Sequence, residues 1–485
     1  MRRHRFRAAV CAALCSTVIT GACTMAIGPG AAAAARGRQP GKTSRFESVS
    51  CPSAGFCVAG GQYRDRAGRR QGFVVTERRG VWGRGKQLPG LAALNVRGKA
   101  RVSAVSCDSP GSCAAVGTYT DRRRHRQAFV ATERHGTWGR AIEIPGLGAL
   151  NSGGYVYPIV YVSCASAGNC AAGGAYAPDS SRIVAFVADE VRGAWHKAHR
   201  VRGIDALDKR GTSYVAAISC AAPGYCNAVG DYSPRDGISL TSKVFVAVEA
   251  RGTWHAARAQ PGLAALQARL PYASGVSCGS AGNCAVAGSY LSRSGNIQSY
   301  VSDETGGAWH AAQHIAGPGP RRHGANIMLS SVSCATAGDC SVGGSFERRS
   351  LAGSAVTAEE RNGTWGRARV LAGPGRLGSS ADAEIVSLSC ASAGNCSAGG
   401  DFYGNSGRIQ PFVVSERDGV WGSVKQVPGS QALYAGRRAY IVSVSCGAPG
   451  DCSAAGTYSD GKLAHAFVVR EQNGIWSRAR AILGP

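Results

Sequence analysis

Acidic side chains are scarce in this chain of 485 residues: 29 Asp and Glu stand against 55 Lys and Arg, a formal charge of +26. Such an excess points to anionic surroundings (nucleic acid, acidic glycan, teichoic acid, lipid headgroups) or to solubility alone. Methionine occurs three times against 68 glycines, the composition of a turn-rich extracellular protein rather than a helical one. There is no H-E-x-x-H and no P-loop sequence, which removes the zincin helix and the phosphate-cradling loop from consideration. Long apolar runs are also missing. Ala8 to Gly28 is the nearest approach, and Thr, Ser and Gly interrupt it, which argues against a membrane-spanning anchor.

That first stretch reads instead as an export signal, expected at 1–35. Arg2, Arg3, Arg5 and Arg7 form a basic head, and the alanine run 31–35 supplies small residues for cleavage. Arg2-Arg3 is a poor twin-arginine signal, and Thr20-Gly21-Ala22-Cys23 is a poor lipobox. Removing the four arginines leaves +22. Of 19 cysteines, Cys11, Cys15 and Cys23 fall in the signal, leaving 16.

What is abundant is repetition. The pattern [V/I/L]-S-C-x3-G-x-C-x3-G-x-[Y/F], followed by an apolar pair and E-x-x-G-x-W, occurs eight times, with first cysteines at 51, 107, 164, 220, 278, 334, 390 and 446. A fixed period means stacked modules. In the second copy Val102 to Cys107 alternates as a strand, Cys113 to Tyr119 runs back, Gln127 to Glu133 is a third strand and Thr137 to Ile144 a fourth. The inner two strands carry Ser, Ala, Gly and Val, and the outer two carry the bulk (Phe129, Trp138), the gradient that fills the wedge between blades. The expected fold is all-β, an eight-bladed β-propeller with four antiparallel strands per blade. After a linker at 36–45, the propeller spans 46–485, with blades near 46–100, 101–157, 158–214, 215–271, 272–327, 328–383, 384–439 and 440–485. By this phasing no blade is shared between the termini, and closure rests on packing of the first blade against the eighth.

Two cysteines per copy in an exported chain imply disulfides: Cys51–Cys57, Cys107–Cys113, Cys164–Cys170, Cys220–Cys226, Cys278–Cys284, Cys334–Cys340, Cys390–Cys396 and Cys446–Cys452, each closing the inner hairpin. Zinc needs four ligands, and no histidine has a fixed position in the repeat; no metal or other cofactor is expected. In E-x-x-G-x-W the glycine supplies positive φ in a turn and the tryptophan packs between blades. The glutamate is expected to accept hydrogen bonds from the backbone of that turn. Eight equivalent glutamates on a ring do not converge as a catalytic pair must. His196, His255 and His310 follow the tryptophan in three copies and read as exposed strand residues.

Glu133-Arg-His-Gly-Thr-Trp138 and Ser415-Glu-Arg-Asp-Gly-Val-Trp421 resemble the Asp-box of sialidase-like propellers, with the glycine and the acid displaced. One tryptophan per blade is also similar to the docking motifs of quinoprotein dehydrogenases. Neither resemblance extends beyond the outer turn, and neither carries an activity over. The whole repeat, residues 46–485, resembles exported repeat proteins of actinobacteria, which implies secretion and no chemistry.

Charge collects in the loops joining strands two and three: Arg64, Arg66, Arg69 and Arg70 in the first copy, Arg122, Arg123, Arg124 and Arg126 in the second, Arg348 and Arg349 in the sixth. Links between copies add Arg97, Lys99, Arg101, Arg321, Arg322, Arg437 and Arg438, while the cysteine turns hold no Lys or Arg. The expectation is therefore a secreted, non-catalytic, monomeric binding module whose arginine face, centred on the first two blades, engages an acidic glycan or other cell-wall polymer. Nucleic acid is disfavoured because these loops hold few aromatics. The alternatives are a glycan hydrolase or lyase using a loop acid (Asp65, Asp121 or Asp236) and a structural cell-surface protein.

Overall fold

The computed structural model describes residues 43–157, 159–234, 242–318, 326–347, 353–373, 382–403, 408–433 and 438–485. The expected signal, most of the linker, and Asp236, Arg321, Arg322, Arg348, Arg349 and Arg437 lie outside the described residues. The architecture is all-β and of the propeller type: the first six repeats each form their own antiparallel sheet, and the antiparallel sheets of the seventh and eighth are joined by one parallel pairing, Ile409 with Arg438. In the first repeat β1 (Ser44–Ser53), β2 (Phe56–Arg64), β3 (Arg70–Arg78) and β4 (Val81–Trp82) pair in chain order, and β5 (Lys86–Gln87) also pairs with β3. A one-turn helix, α1 (Leu91–Leu94), lies in the link to the second repeat. Ser44 and Arg45, expected in the linker, already pair with Tyr63 and Gln62 as part of β1.

The expected fourth strand is broken in two. In the second repeat Thr137–Ile144 divides into Thr137–Trp138 and Ile142–Glu143, both on the strand Arg126–Arg134. Hydrogen bonding draws its middle away. Gly139 N–H donates to Thr132 O at 2.9 Å, and Ala141 N–H donates to Pro89 O of the preceding repeat at 2.7 Å. The cross-repeat bond recurs at Ala198, Ala257, Ala312, Ala368, Val424 and Ala479, and Gly85 N–H completes the series on Leu483 O at 3.2 Å.

A second series explains the serine of the V-S-C string. Ser50 Oγ accepts Cys107 N–H of the next repeat at 3.0 Å, and Ser106, Ser163, Ser219, Ser277, Ser333 and Ser389 act likewise. Ser445 Oγ then accepts Cys51 N–H at 2.9 Å, so the series returns to its start. Apolar packing follows the same path: Phe46, Val49 and Phe73 share a cluster with Ala455, Ala466, Val468 and Ile482.

Residue size is arranged as the alternation implies. Phe73, Phe129, Phe186, Phe245, Tyr300, Phe412 and Phe467 sit at one position of the third strand, wholly buried, each worth roughly 1.5–3 kcal/mol. Opposite them the repeat requires glycine, because a Cβ at Gly61 would stand 1.9 Å from Arg45 O, and one at Gly117 would stand 2.0 Å from Arg101 O. In the outer turn both central residues have positive φ, as at His135 (48°) and Gly136 (75°), the type I′ geometry that suits a hairpin. Gly136 N–H donates to Gly111 O in the cysteine turn at 2.9 Å, and each repeat makes the equivalent bond. All eight cysteine pairs are bonded, each across six residues.

Candidate functional site

The loops between second and third strands and the links between repeats meet at one end of the sheets. Arg70 pairs with Lys99 and Arg126 with Tyr155 in parallel bridges. Two buried asparagines of the links, unremarked in the sequence, hold this arrangement. Asn95 Nδ2 donates to Arg70 O at 2.8 Å and to Gln71 Oε1 at 2.9 Å, while its Oδ1 accepts Lys99 N–H. Asn151 repeats the pattern on Arg126 O, Gln127 Oε1 and Tyr155 N–H. Their signal was a recurring Leu-Asn at 94–95 and 150–151.

The eight arginines singled out above divide into groups. Arg64 donates to Gly68 O at 2.8 Å, and Arg69 Nε meets Asp65 Oδ2 at 3.2 Å, so both brace their own loop. Arg66, Arg122, Arg123 and Arg124 are exposed and make no side-chain hydrogen bond or ion pair among the described residues. Arg126 lies over the Tyr155 ring, 4.7 Å from its centroid, and donates to the Tyr155 hydroxyl at 2.9 Å. Arg70 titrates below the usual guanidinium range, first through desolvation and then through Arg64, Arg101, Arg126 and Arg45. Five guanidiniums therefore share one field, and such crowding concentrates positive potential. Arg101 stands 3.9 Å from Glu47, whose carboxyl is pushed up by burial against the pull of Arg101 and Arg45.

Beside Arg126 runs a row of tyrosines that the sequence did not disclose. Tyr155 meets Tyr157 edge-on at 5.9 Å, and Tyr157 stacks on Tyr214 at 6.2 Å with rings 2° from parallel. Tyr155 and Tyr214 are 38% and 39% exposed. Tyr214 donates to Asp231 Oδ2 at 2.6 Å, and burial pushes the Asp231 carboxyl up to about 7. Tyr155 and Tyr157 come from the link between the second and third repeats and Tyr214 from the first strand of the fourth repeat's sheet, so counting aromatics within the arginine loops missed them. This end of the sheets therefore does present aromatic rings beside its arginines.

The loop acids proposed for catalysis are occupied where they are described. Asp65 accepts Ala67 N–H, Arg69 N–H, Arg69 Nε and Gln71 Nε2. Burial pushes its carboxyl up, but the bonds from Gln71 and Arg69 outweigh it and hold it below the ordinary range. Asp121 accepts His125 N–H at 2.8 Å. Gly275-Val-Ser-Cys-Gly279 matches a G-x-S-x-G string, yet Ser277 lies on a strand and its hydroxyl accepts Cys334 N–H at 2.9 Å. The side chains of His196, His255 and His310 are exposed.

Two expectations need correction. The repeat glutamate is buried, and its described bonds cross to the preceding repeat rather than returning to its own turn: Glu190 accepts Thr132 Oγ1–H at 2.9 Å, and Glu304 accepts Asn227 Nδ2–H at 2.9 Å. The glutamate lies on the third strand, paired on both sides as Glu190 is with Cys170 and Trp195, so its carboxylate projects from the sheet face onto the neighbouring repeat, while the glycine amide of its own turn is already bonded to the cysteine turn. Positive charge, moreover, is not confined to the arginine-loop end. Arg78, Arg361 and Arg417 reach from outer strands to turn carbonyls of the next repeat (Gly136, Gly419, Asn473) at 2.9–3.3 Å, beside the cysteine turns, and Arg134 does the same to Gly193 O.

No protein-family model matches the chain, and no curated protein does. Among solved structures it is similar to the Hadza microbial sialidase Hz136, at 10% identity and a TM-score of 0.38 over 74% of this chain and 73% of that one. It is similar to an ulvan lyase of polysaccharide lyase family PL25 at 10% identity and 0.44, over 78% and 94%. It is also similar to the GH74 xyloglucanase from Xanthomonas campestris at 12% and 0.41, over 90% and 67%. At these identities no activity is carried across.

Proposed function

We propose that the protein is a secreted, non-catalytic, eight-bladed propeller that binds an anionic polysaccharide or cell-wall polymer through its arginine-loop end. The blade count is supported by the two bond series that run through all eight repeats and return to the first. Secretion is supported by the eight disulfides, which persist in oxidising compartments. The carrying observation for the ligand is Arg126 laid on Tyr155 at the head of the Tyr157–Tyr214 row, within the field of Arg70 and Arg101. Guanidinium forks match carboxylate, sulfate or phosphate groups, and flat aromatic faces offer apolar area at low entropic cost. A charged sugar polymer presents both features at once.

The test is an array of acidic glycans, teichoic acid and single-stranded DNA at two salt concentrations. Binding to a glycan or teichoic acid is expected to weaken steeply with salt. Replacing Arg122, Arg123 and Arg124 by alanine should flatten that salt dependence, and Tyr155→Ala should weaken binding at both concentrations. No binding at low salt, or binding to DNA alone, overturns the reading. Turnover of the bound polymer replaces it with the hydrolase or lyase alternative.

A further inference from the structure

The repeat glutamates are satisfied differently at different interfaces, and among the described ones Glu416 alone has both carboxylate oxygens buried without a hydrogen-bond partner. Between the eighth and first repeats Ser453 Oγ donates to Glu77 at 3.1 Å, and between the seventh and eighth Ser397 Oγ donates to Glu471 at 2.7 Å. Between the sixth and seventh the equivalent serine, Ser341, contacts Cys396 Sγ at 3.5 Å instead. Glu416 there is 3% exposed, and neither of its carboxylate oxygens has a hydrogen-bond partner among the described residues. The Arg361 guanidinium is 3.9 Å away and donates to Gly419 O; at 3.9 Å it makes no hydrogen bond to the carboxylate.

A buried carboxylate without donors is costly, and its persistence calls for an explanation. Glu416 lines an open cleft of about 240 Å³ together with Asp339, Glu359 and Asp418. Glu359 is already engaged, accepting Trp421 Nε1–H at 2.8 Å, and Asp339 accepts Thr336 Oγ1–H at 3.0 Å. Glu360 lines it too, so five carboxylates surround one cleft, with the Arg361 guanidinium in the same wall, in a chain of formal charge +26. No cluster of three or more acidic, His or Cys side chains fit for a metal ion exists among the described residues, so the fitting ligand is one that brings its own N–H donors.

We propose that this cleft binds an organic cation, a primary ammonium or guanidinium head on a slim alkyl chain, which donates to the unpartnered oxygens of Glu416. Both heads carry several donors and no acceptor, and charge-assisted bonds to a carboxylate are the strong kind. The site lies beside the cysteine turns, with Ala393 and Gly394 in its wall, at the opposite strand end from the arginine loops, so it stands or falls independently of the polymer reading. The same chemistry is found in a free polyamine and in a Lys or Arg side chain of a partner protein.

Burial, reinforced by Glu359, pushes the Glu416 carboxyl up to about 7, so the titration belongs at about pH 8, where the group is ionised. Calorimetric titration of the purified full chain with agmatine, cadaverine and the tripeptide Gly-Arg-Gly is expected to show saturable one-site binding. Affinity should fall at least about tenfold in Glu416→Gln, the loss of one charge-assisted bond. It should fall similarly in Ala393→Trp, which narrows the mouth and leaves every carboxylate in place, and should not change in Arg122→Ala. Agmatine binding without Gly-Arg-Gly binding assigns the site to free amines; binding of both assigns it to a protein side chain. Absence of saturable binding by all three probes, or undiminished binding in both variants, overturns the proposal. Should Glu416→Gln fail to fold, Ala393→Trp decides alone.

Discussion

At the interface of the eighth and first repeats the repeat glutamate meets a cation: Glu77 Oε1 lies 3.1 Å from Arg470 Nε. Between the third and fourth, fifth and sixth, and sixth and seventh repeats the equivalent position to Arg470 is an acid. Asp189, Asp303 and Glu359 each accept the indole N–H of the next repeat's tryptophan (Trp254, Trp365, Trp421) at 2.8–3.0 Å. The price of that bond is a second buried carboxyl within Coulombic reach. Glu249, Glu360 and Glu416 are pushed up to about 7, first by burial and then by Asp189, by Asp303 and Asp339, and by Glu359 against Arg361 and Arg369. The residue before an otherwise constant glutamate thus decides whether the next repeat's glutamate faces a cation, as at Arg470, or a second acid, as at Asp189, Asp303 and Glu359.

The largest expected consequence is a pH dependence of stability. A carboxyl whose folded pKa lies above its unfolded value near 4.5 binds more protons in the native state, so stability falls as pH rises from about 4.5 to about 7. Each group contributes on the order of 3 kcal/mol at most, and Asp231 and Asp401, also raised to about 7, act in the same direction. Calorimetric melts at pH 5 and pH 8 should show the higher Tm at pH 5. Converting Glu249, Glu360 and Glu416 to Gln should remove most of the difference, and a Tm that climbs with pH would break the comparison.

Arg470→Ala attacks the opposite kind of interface. It leaves Glu77 buried without its cation, at a cost of about 3 kcal/mol, and weakens the contact that joins the two ends of the repeat series. Asp189→Asn should cost much less, because it removes one of two conflicting charges while keeping an oxygen for Trp254. Denaturant titration of the two variants at pH 7 ranks them directly.

Substituting Cys220 and Cys226 together by alanine should lower stability by roughly 2 kcal/mol, the chain-entropy value for so short a loop. The loss should be alike at pH 5 and pH 8, which separates it from the carboxyl effects. Smallest is the tryptophan pair. Trp254→Phe forfeits bonds to Asp189 and should cost about 1–2 kcal/mol, whereas the Trp82 indole N–H has no partner among the described residues. Trp82→Phe should therefore cost less than Trp254→Phe in the same melts.

Much of the fold was legible because the repeat states it eight times. Alternation, turn glycines and the cysteine spacing disclosed the strands and the pairings, since each depends on contacts within about ten residues. The split of Thr137–Ile144 was not legible, because the bond that interrupts it goes to Pro89 in another repeat. The candidate face was legible in part. Arginine enrichment marked the loops, but Arg45 was assigned to a linker, and Tyr155, Tyr157 and Tyr214 joined Arg126 only through neighbouring sheets.

The sequence by itself determined the all-β modules, the disulfide partners and the positive φ of the outer turn, all local consequences of residue size, spacing and backbone freedom. Tertiary structure alone decided which carboxyls confront acids and which meet Arg470, which arginines brace their own loops and which stand free, and that Glu416 opens on a cleft. The partners of the carboxyls are supplied by other repeats, from the far end of the chain in the case of Arg470 and Glu77, and charge and hydrogen bonding act through space rather than along the chain.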